Sequence, residues 1–396
     1  MRFFPALLAA ALFAEDWPEF RGPTGQGHSS ETGLALEWSE SKNIAWKVAA
    51  PAGWSSPSVV GGRIWITGSA AGGKSLRLLS LDAKTGKTVL DKELFTIDSV
   101  RKIHAKNSYA SPTPIVDNGL VYVHFGSQGT ACVRTDGEIV WKTRFDYDHV
   151  HGNGGSPVLS NGLLFLNCDG GDQQFAIALD AATGERKWKS DRKTYMAFAT
   201  PLMISAAGRM QFISPSAHRT VSYDPSTGKE LWYVTYGEGF SNVPRPVFGH
   251  GLVFLSTGFN TPAMIAVRAD GKGDVTGSHV AWQLQRGAPH TPSPVLVGEE
   301  LYFVSDRGIA TCVDAATGKI HWQERLGGNH SASPTVAAGR IYFLSEEGES
   351  AVIAPGKEFK KLAANQLDGR FLASPAVSGG AIFLRSATHL YRIETR

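Results

Sequence analysis

Long apolar runs, cysteine and any surplus of one charge are all scarce in this chain of 396 residues. Its one extended apolar stretch, Phe3 to Ala14, is well short of the ~20 residues that a membrane-spanning helix needs. With 39 basic and 36 acidic residues interleaved along the chain and a net charge of +3, there is no clustered cationic footprint for nucleic acid. Three cysteines are too few for a disulfide scaffold. Apolar residues do not recur at helical spacing. Gly-rich phosphate loops, serine nucleophile elbows and zinc-binding helix motifs are also missing from any fitting context.

What is abundant is turn and strand material: 44 Gly, 20 Pro, 20 Phe and 10 Trp. A small residue followed by proline, a glycine turn and a β-branched or aromatic run recurs eight times, at Pro57, Pro112, Pro157, Pro201, Pro246, Pro294, Pro334 and Pro375. Spacings of 55, 45, 44, 45, 48, 40 and 41 residues match the period of a propeller blade. The fold class expected is all-β: an eight-bladed β-propeller of four-stranded antiparallel blades.

The third repeat shows how a blade forms. Strands are expected at Ser156–Leu159, Leu163–Asn167, Phe175–Leu179 and Arg186–Lys189, separated by turns at Asn161-Gly162, Asp169–Asp172 and Asp180–Gly184. The last turn returns as LDAKTG, YDPSTG and VDAATG, where Asp bonds the turn backbone and Gly takes positive φ. Eight residues beyond that Asp stand Trp188, Trp232 and Trp322. They are expected to staple neighbouring blades, each burial contributing about 1.5–3 kcal/mol.

After Pro375 only three strands fit, and NIAWKV from Asn43 matches EIVWKT of the second repeat. The N-terminal strand is therefore expected to close the last blade and remove two sheet edges. This gives a signal peptide over residues 1–14, an extension over 15–42 that packs on the ring, and the propeller over 43–396. Arg2, the apolar run and the switch to Glu15 and Asp16 read as an export signal. A periplasmic or secreted monomer follows, with no transmembrane span and, for lack of an N-terminal cysteine, no lipid anchor. Cys132 and Cys312 fall in opposite blades, too far apart to bridge, and Cys168 stands alone, so three free thiols are expected.

The phrases LDAATGERKW, YDPSTGKELW and VDAATGKIHW resemble the tryptophan-docking repeat of the pyrroloquinoline quinone (PQQ) propeller superfamily. That superfamily includes quinoprotein alcohol dehydrogenases and the outer-membrane barrel-assembly propeller lipoprotein. WPEFRGPTGQG, HAKNSYASPTP, FGSQGTACV and ASPAVSGGAIFLRSATHLY resemble exported bacterial PQQ-binding-like propellers over nearly the whole chain, from Trp17 to Arg396. The resemblance implies the fold and two uses of it: a binding scaffold, or an oxidoreductase with PQQ and calcium. The adjacent cysteine pair of the dehydrogenases has no counterpart here.

The loops that precede each innermost strand gather at the channel mouth in such a ring, and polar groups converging on one concave face mark the candidate site. They carry His104, Lys106, Asn107, His149, His151, Asn153, Arg245, His290, Asn329, His330 and Arg370, with Asn242 beside them and Trp54, Tyr109, Tyr195 and Phe371 as stacking surfaces. Asp169 and Asp172, in a glycine turn, are weak calcium candidates. The reading favoured is a non-catalytic exported propeller binding a small ligand or a protein partner at this funnel. The alternative is a PQQ- and calcium-dependent oxidoreductase of alcohols or sugars, with carboxylates drawn from Asp169, Asp306 and Asp368 and cations from Arg245 and Arg370.

Overall fold

The structure, a computed structural model, describes residues 15–396; the expected signal peptide lies outside them. Eight sheets, antiparallel save for one added strand and each ordered from an innermost three- to five-residue strand outwards, form the blades of a ring. Blade 3 is typical, with strands Val158–Ser160, Leu163–Asp169, Gln174–Asp180 and Arg186–Asp191. Blade 8 is closed as expected: Ile44–Ala49 pairs antiparallel with His389–Ile393, Trp46 opposite Arg392 and Val48 opposite Leu390. Among the described residues no helix is long and apolar enough to cross a membrane.

Blade-to-blade contacts follow from the repeated turn. Trp46, Trp141, Trp188, Trp282 and Trp322 donate their indole N–H to carbonyls of Ala83, Ala181, Pro225, Ala315 and Gly356 in the following blade, at 2.8–3.1 Å. Gly184 shows why this turn takes glycine. Its φ is +75°, and a Cβ there would lie 2.6 Å from the Trp141 ring. Trp232 departs from the pattern and donates to Gln211 Oε1 within its own blade. Gln211 in turn donates from Nε2 to the Ala269 carbonyl of blade 5 at 2.8 Å, and Gly273–Asp274, from an insertion in blade 5, adds a fifth, parallel strand against Trp232 and Tyr233.

The repeat register needs one correction. The proline two residues before the innermost strand's second position is Pro114 in blade 2, not Pro112, because that strand spans Ile115–Asp117 as Ser58–Val60 does after Pro57. In this register the residue before each proline is Ser56, Thr113, Ser156, Thr200, Arg245, Ser293, Ser333 or Ser374. Their backbone N–H groups donate to the next hydroxyl around the axis: Ser56 to Thr113, Thr113 to Ser156, Ser156 to Thr200, Arg245 to Ser293, Ser293 to Ser333, Ser333 to Ser374 and Ser374 to Ser56, all at 2.9–3.0 Å. At the remaining junction Arg245, which has no hydroxyl, donates from Nε to the Pro201 carbonyl.

Residues 15–31 pass across the ring on the far side of this hydroxyl circle. Their backbone and side chains pair with the middle residues of four innermost strands: Trp17 with Val59, the Pro18 carbonyl with Val116 N–H, Gln26 Oε1 with Phe248 N–H, and Gly27 with Val336. Glu31 accepts from Gly379 and Gly380 N–H of blade 8. An otherwise unpaired inner edge is thereby satisfied. Cys132, Cys168 and Cys312 are unpaired and buried between blades, and burial pushes the Cys132 thiol up to about 11.

Candidate functional site

An extended chain turns alternate side chains to one side, and each blade entry uses this to build the channel wall in two tiers. The deep tier is the hydroxyl circle. The shallow tier, two residues earlier, is Trp54, Ser111, Gly154, Phe198, Val243, Thr291, Ser331 and Leu372. Together they enclose a cup of about 790 Å³, into whose base Phe20 reaches from the N-terminal segment. That volume lies within the ~300–1,000 Å³ range of small-molecule sites.

His104, Lys106, Asn107, His151 and His290 lie on this wall. Their loops are stitched to one another. His104 N–H donates to the His151 carbonyl at 3.1 Å, as does Asn107 Nδ2 at 2.9 Å. The two imidazoles meet edge to face at 5.6 Å, and His151 also packs against Phe198. Burial, and then His104, lowers the His151 pKa, which favours the neutral ring. Lys106 reaches from the loop before blade 2 to Glu346 of blade 7 at 2.7 Å. Glu346 also accepts from Ser331 Oγ at 2.6 Å, and Arg370 Nη2 lies 3.8 Å from its other oxygen. Arg370 sits on the rim, its guanidinium 5.8 Å from the Trp54 ring centre.

The other expected residues serve elsewhere. His149 is buried against Tyr147, with Nδ1 3.0 Å from Ser127 Oγ. Asn153 donates to the Gly155 carbonyl. Asn242 is buried, bonded to Tyr236 and Ser256. Asn329 donates from N–H and Nδ2 to Glu347. His330 is buried, Nε2 against the Gly327 carbonyl, and faces a separate cavity of about 370 Å³ with Glu349 and Lys361. Arg245 is directed away from the cup, 3.5 Å from Glu19. Tyr109 donates to the Arg101 carbonyl, and Phe371 is core.

The calcium candidates do not meet. Asp169 forms a wholly buried pair with Arg192 at 2.9 Å, whereas Asp172 accepts from the backbone of Asp148 and Gln173. Among the described residues no three His, Cys, Asp or Glu side chains gather as a metal-ligand set.

Sequence reasoning missed most of the apolar wall: Phe20, Met196, Phe198, Phe240 and Phe259. Phe240 packs 5.6 Å from Phe259 and 5.9 Å from Tyr195, and Phe259 lies 5.7 Å from His290, making an arc of rings along one rim. Phe259 is 53% exposed. The usable signal was position: Phe198 stands three residues before its repeat proline, as Trp54 does. Among the described residues the cup thus offers flat apolar faces, imidazoles, hydroxyls and the guanidinium of Arg307, while the Asp306 carboxylate on its wall is already engaged. Asp306 Oδ2 accepts from the backbone N–H of His290 at 2.6 Å and Thr291 at 3.3 Å.

Residues 100–308 and 266–358 match the family described as outer membrane protein assembly factor BamB. The chain belongs to this family. A search of curated proteins by sequence finds no match. Among solved structures, BamB from Moraxella catarrhalis superposes with a TM-score of 0.62 at 10% identity, covering 88% of this chain and 99% of that one. A europium-containing methanol dehydrogenase gives 0.68 at 11%, over 94% and 90%. The quinohemoprotein alcohol dehydrogenase from Comamonas testosteroni gives 0.70 at 12%, over 96% and 81%. At such identities the likeness is one of fold, shared by an assembly factor and by dehydrogenases.

Proposed function

We propose that this protein is an exported, non-catalytic scaffold propeller that holds its ligand, a small molecule or an inserted segment of a protein partner, in the cup. The observation that carries the reading is the cup itself: a cavity of about 790 Å³ with apolar faces at Trp54, Phe198 and Phe240, polar groups at His104, His151 and His290, and Phe20 at its base. A rigid wall fixed by the hydroxyl circle loses little conformational freedom when a ligand enters, which favours binding. Membership of a family described as an assembly factor agrees with a scaffold, and the Arg2–Ala14 segment with export to the periplasm. Oligomer formation is not required by any feature of the cup, and the protein is proposed to act as a monomer.

Quinone chemistry assisted by calcium needs oxygen ligands close to the cofactor. Asp306 is held by two backbone amides, and Glu346 by Lys106 and Ser331. That both carboxylates already have partners supports the binding reading over a calcium–quinone site.

The test is a titration of the purified protein with pyrroloquinoline quinone, with and without calcium, following tryptophan fluorescence and dye reduction with alcohols and sugars. Trp54 is the tryptophan on the cup wall, so Trp54→Phe identifies its share of any quench. Calcium-independent quenching without dye reduction, lost in Phe198→Ala or His151→Ala, supports the binding reading with a planar ligand. Turnover that requires calcium overturns it.

A further inference from the structure

The phrase Trp17–Gly27, WPEFRGPTGQG, is the strongest sequence signal that the cup leaves unused. It brings two arginines together at the ring's axis. Arg245 is balanced: Glu19 lies 3.5 Å away, and the Pro201 and Phe20 carbonyls accept from Nε and Nη1. Arg21 is not. It is 2% exposed, and among the described residues no protein group accepts from its Nε, Nη1 or Nη2.

The glycines of the phrase are shaped around these groups. Gly25 has φ +66° and Gly27 φ +87°; a Cβ on Gly25 would lie 2.5 Å from the Arg245 guanidinium, and one on Gly27 2.6 Å from Arg21 Nη2. Each guanidinium therefore rests directly on the segment's backbone. Glu19 pairs with Arg245 and not with Arg21, and burial raises its own pKa. Burial and the neighbouring Arg245 bring the Arg21 pKa down to about 9, which leaves it charged at neutral pH. Burial and the neighbouring Arg21 lower the His28 pKa, which disfavours a further positive charge there. An isolated charge in such an interior is strongly unfavourable unless paired. Water satisfies the donors of a guanidinium, but only an anion also compensates its charge, and the planar fork presents several N–H groups to one acceptor.

We propose that the buried Arg21 guanidinium, which no protein group among the described residues accepts from, binds a small inorganic anion such as a halide. The site is distinct from the cup, whose wall includes Phe20 but not Arg21. Its occupant is sealed in when residues 15–31 settle on the innermost strands, and it acts as a structural ion that fixes the segment.

Crystals of the full chain, refolded and crystallised in sodium bromide so that the ion is present as the segment settles, supply the decisive measurement. An anomalous peak within hydrogen-bonding distance of Arg21 is expected; ordered water alone at that position overturns the proposal. In solution the unfolding midpoint should rise by about 1–2 °C for each tenfold increase in chloride, gluconate keeping ionic strength constant. The rise should vanish in Arg21→Gln. A midpoint in the native chain that ignores chloride contradicts the site even if the variant does not fold. Either result leaves the quinone titration of the cup unaffected, so the two readings fail separately.

Discussion

His124 ends the second strand of blade 2 and is 1% exposed, with Nδ1 2.8 Å from Thr130 Oγ1 and, among the described residues, no partner at Nε2. Burial, with His149 nearby, pushes its pKa down to about 3. The folded protein therefore keeps this ring neutral where the unfolded chain takes up a proton, below the ordinary value of 6.5. More protons bound by the unfolded chain means stability that is intact above about pH 6.5 and lost progressively as pH falls towards 3, at ~1.4 kcal/mol per pH unit. Between pH 6 and pH 4 the native chain is expected to lose about 2–3 kcal/mol more than His124→Gln, measured as the difference in urea unfolding free energy. Equal slopes would show that the ring titrates normally in the fold. The entry-loop histidines stood out because loops of a propeller converge; nothing in HFGSQG announces a perturbed histidine, since burial is a property of neighbours contributed by other blades.

The elements that matter most are the blade entries, and they were half legible. Ser or Thr before proline was visible at seven positions, but its use as a circle of N–H to hydroxyl bonds was not, because each bond joins residues of different blades. Taking Pro112 for Pro114 hid the circle further. Once the register is right, stepping back one and three residues from each proline reads out both tiers of the wall, Trp54 and Phe198 included. The polar list instead collected His149, Asn242 and Arg245, whose hydrogen bonds lie inside the framework. Ser333→Ala would leave the Ser293 N–H, now 3.0 Å from Ser333 Oγ, without a partner in a buried layer. An unmet buried donor costs about 1–3 kcal/mol. Ser333→Thr should recover most of that loss, since Thr113 and Thr200 already play the part. Chemical denaturation of the three proteins measures both effects; a neutral Ser333→Ala would mean that the circle is incidental to ring stability.

At the scale of the whole molecule, the closure by an N-terminal strand was plain from NIAWKV, whereas the role of residues 15–31 was not. Their partners are backbone groups of strands in four different blades, which have no sequence signature. Closure and axial packing are also separable. Arg396 N–H donates to Asn43 Oδ1 at 3.1 Å and Glu394 N–H to the Asn43 carbonyl at 3.0 Å, so the two ends of the propeller lie side by side. A permuted chain that joins Arg396 to Asn43 through a short Gly-Ser linker and reopens at Asp136 places Ile139–Thr143 at its N-terminus as the outermost strand of blade 2. That blade would then close as blade 8 does natively. The turn is a suitable opening because it receives a leucine, Leu90, against Gly137 where other blades receive an indole. Lacking residues 15–42, the permutant loses the partners of Val59, Val116, Phe248 and Val336, yet keeps every blade-to-blade tryptophan bond except those the new opening disturbs. It should elute as a monomer with the native circular dichroism spectrum and unfold at a lower temperature, with no chloride dependence. Aggregation despite intact blades would instead make the N-terminal segment part of ring closure, and the axial arginine a condition of the fold.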